Sequence, residues 1–140
     1  KSSSRLFAVQ ILYEMELNGK SFEVIQKRFS DDSFIELEKI NNQGKPNKNY
    51  IKKLVKGASK NQKNIDDLIN KNLKNWKLSR IESLVRAILR ISAYELIHEE
   101  SIPKKVIFNE YIEIAKFFFD GEEPSLINAV LDAVSRNVIK

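Results

Sequence analysis

The chain has 140 residues, with 24 Lys and Arg against 19 Asp and Glu, one His, one Trp and no Cys. This length fits a single domain, and a hydrophobic fraction of 42% is enough to form a buried core. The absence of cysteine excludes disulfide scaffolds, Cys-ligated zinc sites, iron–sulfur clusters and a cysteine nucleophile. The net charge of +5 is compatible with a polyanionic partner but does not identify one.

The first part of the chain predicts three helices and a loop. A helix begins near Ser4 and ends at Gly19, a residue type suited to a helix C-terminus. Two short amphipathic segments follow Ser21 and Asp32. Residues 41–49 are polar, contain Gly and Pro, and are predicted to form a loop.

A long helix is predicted over residues 49–73, because apolar residues recur there at every third or fourth position. Gly57 lies inside this segment, where it costs about 1 kcal/mol relative to Ala. We therefore expect another element to pack closely against the helix at Gly57.

The remaining helices are predicted from their start signals. Ser79 and Glu82 have the spacing of a capping box, and the helix after them is apolar around most of its circumference, as expected for the buried centre of a bundle. Pro103 and Pro124 are each placed to begin a further helix. The helix predicted to begin at Pro103 contains four candidate core residues: Val106, Ile107, Ile112 and Ile114. No strand-like alternation is found, so we predict an all-α fold, a compact bundle of about seven helices in one domain over residues 1–140.

Charge is unevenly distributed along the chain. Residues 45–77 contain ten Lys and two Asp, a local net charge of +8, whereas residues 95–123 carry a net charge of −5. Four lysines at helical spacing define a lysine ridge on the predicted long helix: Lys53, Lys56, Lys60 and Lys63. This ridge is either a phosphate-attracting surface or the ordinary solvent-facing side of an amphipathic helix. The lack of interleaved aromatic residues favours the second interpretation.

The sequence contains no catalytic constellation. Glu99 and Glu100 adjoin His98, but at the end of a helix, where a solvated charge cluster is expected. Asp66 and Asp67 have no partner at metal-binding spacing, and there is no Gly-rich phosphate loop or nucleophile elbow. We expect no enzyme activity, no metal site and no cofactor.

No apolar run is long enough to span a bilayer, and the first residues lack the basic, apolar and small-residue order of a signal peptide. We therefore expect a cytoplasmic protein without a membrane partner.

Four segments occur in an order that is similar to a known family: residues 5–13 (RLFAVQILY), 86–96 (RAILRISAYEL), 102–116 (IPKKVIFNEYIEIAK) and 126–131 (LINAVL). Together they resemble the NusB family of bacterial transcription antitermination factors, over most of the chain. The resemblance implies two helical halves, and binding of a single-stranded boxA RNA in rRNA transcripts together with the ribosomal protein NusE. It further implies the RNA polymerase antitermination complex as a partner and no cofactor. Some relatives form homodimers, and the sequence does not decide between a monomer and a homodimer for this chain.

The resemblance also implies a set of RNA-binding residues: Lys1, Arg5, Gln10, Tyr13, Lys116, Phe118 and Glu122. Single-stranded RNA is bound by cations, side-chain amides and stacking aromatic rings. Arg5 is expected to contact phosphate and Gln10 to hydrogen-bond a base or sugar. Tyr13 is expected to stack on a base, with core packing beside Leu12 as the alternative.

The second RNA-binding stretch implied by the resemblance includes Lys116, Phe118 and Glu122. A carboxylate such as that of Glu122 is useful near RNA only as an acceptor for a base amino group. Residues 117–119 are three consecutive Phe, which cannot all be buried on a helix, so one exposed ring is a further stacking candidate. The N-terminal tract holds only two cations, Lys1 and Arg5, and we hypothesise that the lysine ridge supplies part of the attraction for RNA.

Three residues inside the similar segments are interpreted as structural, tying neighbouring helices together: Arg90, Asn109 and Glu110. Two alternative functions remain open. One is the NusB-like RNA-binding domain of an rRNA methyltransferase, which requires a Rossmann-type domain downstream. The other is a helical adaptor that binds only protein.

Overall fold

A computed structural model describes residues 2–28, 47–73 and 77–138. These ranges hold seven α-helices and one 3-10 turn, and no strand: α1 (Ser2–Asn18), α2 (Phe22–Arg28), α3 (Lys48–Lys60), α4 (Gln62–Lys71), the turn Leu78–Arg80, α5 (Ser83–His98), α6 (Lys104–Phe118) and α7 (Glu123–Val138). The prediction of an all-α fold with about seven helices is confirmed. The helix predicted after Asp32 and most of the predicted loop over 41–49 lie outside the described residues. None of the described helices is long and apolar enough to cross a membrane.

Helix α5 lies at the centre of the bundle, as its nearly continuous apolar surface predicts. It contacts three helices that precede it in the chain, α1, α3 and α4, and the two that follow it, α6 and α7. The two helical halves, α1–α4 and α5–α7, therefore meet around α5. Ile88, Leu89 and Ile91 are fully buried there, and each such side chain contributes about 1.5–3 kcal/mol of hydrophobic stabilisation.

The predicted long helix over 49–73 is divided at Asn61. Helices α3 and α4 flank this residue, whose backbone N–H and side-chain Nδ2 both donate to the carbonyl oxygen of Gly57, at 3.1 Å and 2.8 Å. The apolar pattern continues across the break because both helices bury the same side, through Leu54 and Ala58 in α3 and Ile65 in α4. Periodicity alone therefore could not reveal the break.

The predicted capping box before α5 is wrong. Ser79 lies in the 3-10 turn, and α5 begins only at Ser83. Glu82 is itself the N-cap, and its carboxylate accepts from the backbone N–H groups of Leu84 and Val85 at 3.0 Å and 3.2 Å. An acidic side chain at this end also interacts favourably with the helix dipole.

Other boundary predictions are confirmed, with one exception. Gly19 follows α1 with a φ of +63°, Pro103 immediately precedes α6, and Pro124 lies in the first turn of α7. Ser4 does not cap α1 but lies inside it, where its Oγ accepts from the backbone N–H of Asn47 at 2.7 Å. This bond joins α1 to the start of α3.

Close packing at Gly57 is confirmed. A Cβ atom on Gly57 would lie 2.1 Å from Cζ of Tyr94, so the ring of this α5 residue rests directly on the backbone of α3. The missing side chain is thus what allows α3 and α5 to approach.

Candidate nucleic-acid interface

The predicted RNA-binding residues lie on α1 and around the α6–α7 connection, apart from Lys1, which lies outside the described residues. Gln10 and Tyr13 are on α1, Lys116 and Phe118 are in the last turn of α6, and Glu122 immediately precedes α7. Helix α1 also contacts α6. The two stretches therefore belong to helices that pack against each other.

Arg5 does not lie on this surface, which corrects the expectation that it contacts phosphate. Its side chain is only 4% exposed, and its guanidinium donates to Glu95 and Glu110. Because these N–H groups are occupied inside the bundle, Arg5 affects the exposed surface of α1 only indirectly, by fixing the position of the helix.

Arg5 is part of a buried polar group, the Glu95 cluster, consisting of Arg5, Tyr50, Glu95, Glu110 and Tyr111. The Glu95 carboxylate accepts from Nε and Nη2 of Arg5 at 2.8 Å and 2.7 Å. It also accepts from the hydroxyls of Tyr50 at 2.5 Å and Tyr111 at 2.7 Å. Nη1 of Arg5 donates to Glu110 at 3.1 Å. The cluster therefore connects α1, α3, α5 and α6 through one carboxylate.

The environment of the Glu95 cluster lowers the pKa of the Glu95 carboxyl and raises the pKa of its two tyrosine hydroxyls. Burial alone would raise the pKa of the Glu95 carboxyl, but hydrogen bonds from Arg5, Tyr111 and Tyr50 outweigh burial and hold the pKa below its ordinary value. Burial and the neighbouring carboxylate raise the pKa of the Tyr50 and Tyr111 hydroxyls. Glu95 thus stays ionised, and both tyrosines stay neutral donors.

The stability of the fold is expected to depend on pH through this cluster. Because the pKa of Glu95 is lower in the folded state, its contribution is fully present above the ordinary value of 4.5 and is lost as pH falls below it. Urea unfolding between pH 7 and 3 should show a constant free energy of unfolding that declines below about pH 4.5. The decline should be shallower in Glu95→Gln, and an equally steep decline in that variant would contradict the assignment.

Gln10 and Tyr13 are only partly accessible. Gln10 is partly buried, and its Oε1 is a buried acceptor without a hydrogen-bond partner among the described residues. Tyr13 packs partly against the apolar core, which is the alternative that the sequence left open. Each residue nevertheless keeps part of its surface in solvent.

The α6–α7 connection is more open. The side chain of Lys116 is 61% exposed and lies 3.5 Å from Glu113, and Glu122 is exposed. Of the neighbouring rings, Phe118 packs partly against the core, whereas Phe117 is 50% exposed. The two rings meet edge to face, with centroids 5.0 Å apart. Phe117 is therefore the exposed ring that the sequence predicted without identifying it.

Arg90 forms a second ion-pair network, as its structural interpretation predicts. Its Nε and Nη2 donate to Asp66 at 2.9 Å each, and its Nη1 donates to Glu16 at 2.7 Å. Glu16 also accepts from Arg86, and these bonds lower the pKa of the Glu16 carboxyl. The network joins α1, α4 and α5.

The structural interpretation is confirmed for Glu110 but wrong for Asn109, which is exposed. Sequence reasoning missed Tyr50, Glu95 and Tyr111 as partners of Arg5. Their polar groups lie inside otherwise apolar segments, and this pattern could have identified them as partners, since a buried polar atom needs a hydrogen-bond partner. Within the described ranges, no group of three or more His, Asp or Glu is placed to hold a metal ion.

The profile of the NusB family matches residues 2–136. The chain belongs to the NusB family. The transcription antitermination protein NusB of Caulobacter vibrioides is 38% identical over 98% of this chain and 93% of its own length. The transcription antitermination protein NusB of Sinorhizobium fredii is also 38% identical, over 99% of this chain and 87% of its own length.

Solved NusB structures share the fold. T. maritima NusB is similar with a TM-score of 0.79 and 27% identity, over 97% of this chain and 91% of that chain. A chain of the complex of antitermination factors NusB and NusE with dsRNA is similar with a TM-score of 0.76 and 27% identity, over 97% and 96%. Both the predicted family and the fold are thereby confirmed for this NusB-family chain.

Proposed function

We propose that this transcription antitermination factor binds boxA-type single-stranded RNA in rRNA transcripts together with the ribosomal protein NusE. On this proposal it joins the RNA polymerase antitermination complex in the cytoplasm, promotes processive transcription of rRNA operons, and catalyses no reaction. The observation that carries the proposal is membership of the NusB family over residues 2–136. The similarity to a chain of the NusB–NusE–dsRNA complex supports RNA and NusE as partners.

The proposed RNA surface combines the exposed parts of α1 and the α6–α7 connection. Lys116 supplies a cation, Glu122 an acceptor for base amino groups, and the partly exposed Gln10 a side-chain amide. Tyr13, Phe117 and Phe118 supply aromatic surface. Lys1 is retained from the family resemblance.

Phe117 is proposed as the stacking ring of the second stretch, with Phe118 holding it in place. An edge-to-face pair fixes the orientation of the exposed ring, so less side-chain entropy is lost when a base stacks on it. Sequence-tolerant stacking of this kind is typical of single-stranded RNA binding.

The methyltransferase alternative is disfavoured by the relatives. They are described as antitermination proteins, and the Caulobacter protein matches this chain over 98% of the chain's length. The protein-only adaptor is separated from the proposal by experiment: a chain that binds NusE equally well with and without RNA, and has no RNA affinity of its own, would be an adaptor.

The test is titration of a labelled boxA-like RNA with the chain, with and without NusE, at two salt concentrations. We expect NusE to increase the affinity because it extends the cationic surface. Phe117→Ala should weaken binding by about 1–2 kcal/mol through loss of stacking. Lys116→Gln should reduce the slope of log K against log salt by about 0.7.

The matched control for Phe117→Ala is Val24→Ala, which removes a comparably exposed apolar side chain from α2, outside the proposed RNA surface. Its RNA affinity should equal that of the unmodified chain. Equal losses in the two variants would mean that the α6–α7 connection is not part of the RNA surface.

A further inference from the structure

The lysine ridge lies on the outer surface of α3 and α4. All four of its lysines are exposed, so their charges face solvent rather than the core. Lys53 forms an ion pair with Glu99, and Lys56 forms one with Glu23. Lys60 and Lys63 have no carboxylate within ion-pair distance among the described residues. Among the described residues, the ridge thus has two cations without a carboxylate partner. The Lys56 pair is exposed and contributes little to stability, whereas Lys53 pairs with a Glu99 side chain that is only 11% exposed.

An aromatic pair from α5 borders this ridge. The rings of Tyr94 and His98 are stacked with centroids 4.5 Å apart and an interplanar angle of 29°. The tip of the Tyr94 ring rests on Gly57, which lies between Lys53 and Lys60 in α3. His98 is exposed, and the residue after it, Glu99, pairs with Lys53 at 2.7 Å.

This arrangement supplies the element that the sequence of the ridge lacks. Surfaces that bind single-stranded nucleic acid combine a row of cations, which follows the phosphates, with aromatic rings on which bases stack. The cations lie on α3 and α4, and the rings come from a different helix that Gly57 allows to approach. His98 is the outer ring of the pair, supported from one side by Tyr94.

We propose that the lysine ridge and the Tyr94–His98 pair form a second binding surface for single-stranded RNA. This inference rests on the proposed function, since it assigns more of the same transcript to a second face. Lys60 and Lys63 attract the phosphates, and a base stacks on His98. Phosphates also displace the carboxylate of Glu23 from its exposed pair with Lys56.

The stacked rings favour RNA over an acidic protein segment as the occupant. An acidic segment would use the lysines but would have no planar group to place on His98. Glu99 and Glu100 directly follow His98 in the chain, and an acidic segment would meet them as like charges. A base carries no negative charge, and its N–H groups, including N3–H of uracil, can donate to these carboxylates.

The test uses the full chain and an unstructured oligouridine of about 16 nucleotides that lacks boxA. Lys60→Gln combined with Lys63→Gln should reduce the slope of log K against log salt by about 1.4. The matched control is Lys104→Gln combined with Lys105→Gln, which removes the same charge from exposed positions at the start of α6. The control should keep the slope of the unmodified chain.

The stacking step is tested at His98. His98→Ala should weaken oligouridine binding about five- to thirtyfold, whereas His98→Phe, which retains a flat ring, should keep most of the affinity. Because His98 is exposed, all variants should retain the helical circular dichroism of the unmodified chain. Equal affinities for His98→Ala and the unmodified chain would overturn the stacking role.

Failure of this inference is distinguishable from failure of the proposed function. If the unmodified chain binds boxA-like RNA but the ridge and control double variants have the same salt slope on oligouridine, only the second surface is overturned. If the unmodified chain binds neither RNA, both proposals are overturned. Loss of binding to NusE, without loss of RNA binding, in the ridge variant would assign the ridge to a protein partner and overturn the inference.

Discussion

Glu95→Gln is expected to lower the free energy of unfolding by about 3–5 kcal/mol, because it leaves the guanidinium of Arg5 buried without its principal counter-charge. The Arg5 and Glu95 side chains are 4% and 0% exposed, so water cannot replace the lost partner. Glu110 accepts one bond from Arg5 but is itself partly exposed, so it compensates for only part of the loss. Urea unfolding at pH 7 measures the change.

Two further variants make this prediction specific. Glu113→Gln removes a carboxylate from an exposed pair with Lys116 and should change the free energy of unfolding by less than about 1 kcal/mol. Arg5→Met combined with Glu95→Gln should recover part of the loss, because no unpaired charge remains buried. If Glu95→Gln were no more destabilising than Glu113→Gln, the Glu95 cluster would not be holding the four helices together.

Gly57→Val is expected to destabilise the fold by about 3 kcal/mol, although Val has a better helix propensity than Gly. Its Cβ would lie 2.1 Å from Cζ and 2.4 Å from the hydroxyl oxygen of Tyr94. Either the ring must leave its position, which removes its partly buried packing against the core, or α3 and α5 must separate. Thermal unfolding measures the effect.

The matched control is Asn64→Val, which introduces the same side chain at an exposed position of α4 and should change stability by less than about 0.5 kcal/mol. Gly57→Val combined with Tyr94→Ala should be more stable than Gly57→Val alone, since the overlapping ring is gone. Additive losses in the double variant would show that the cost of Gly57→Val arises elsewhere.

Helices could be predicted from the sequence where one residue type determines a boundary. Gly19 ends α1 because glycine readily takes a positive φ, and Pro103 and Pro124 mark the starts of α6 and α7. The break at Asn61 could not be predicted, because the buried side continues through it and its hydrogen bonds are made only in the folded chain. The exposure of Val106, at 43%, was likewise missed. Its spacing fits the apolar face of α6, but none of the described helices covers that position.

The candidate site was predictable in outline but not residue by residue. The family resemblance pointed to α1 and the α6–α7 connection, and it implied that Arg5 contacts RNA, whereas the structure buries Arg5. Its burial depends on Glu95, 90 residues away, and Glu110, 105 residues away. Similarly, the one aromatic ring in the sequence of α3, that of Tyr50, is buried, and the fold brings Tyr94 and His98 beside the lysines from α5.

The long sequence separations within the Glu95 cluster determine when the chain can finish folding during synthesis. Arg5 leaves the ribosome well before Glu95, which follows it by 90 residues. At a synthesis rate of about 5–20 residues per second, Glu95 therefore becomes available to Arg5 roughly 5–20 s after Arg5 has emerged. During that interval the apolar side of α1 has α2 and α3 as available neighbours but lacks α5 and α6. A newly made chain of this protein thus completes its core only as its second half emerges.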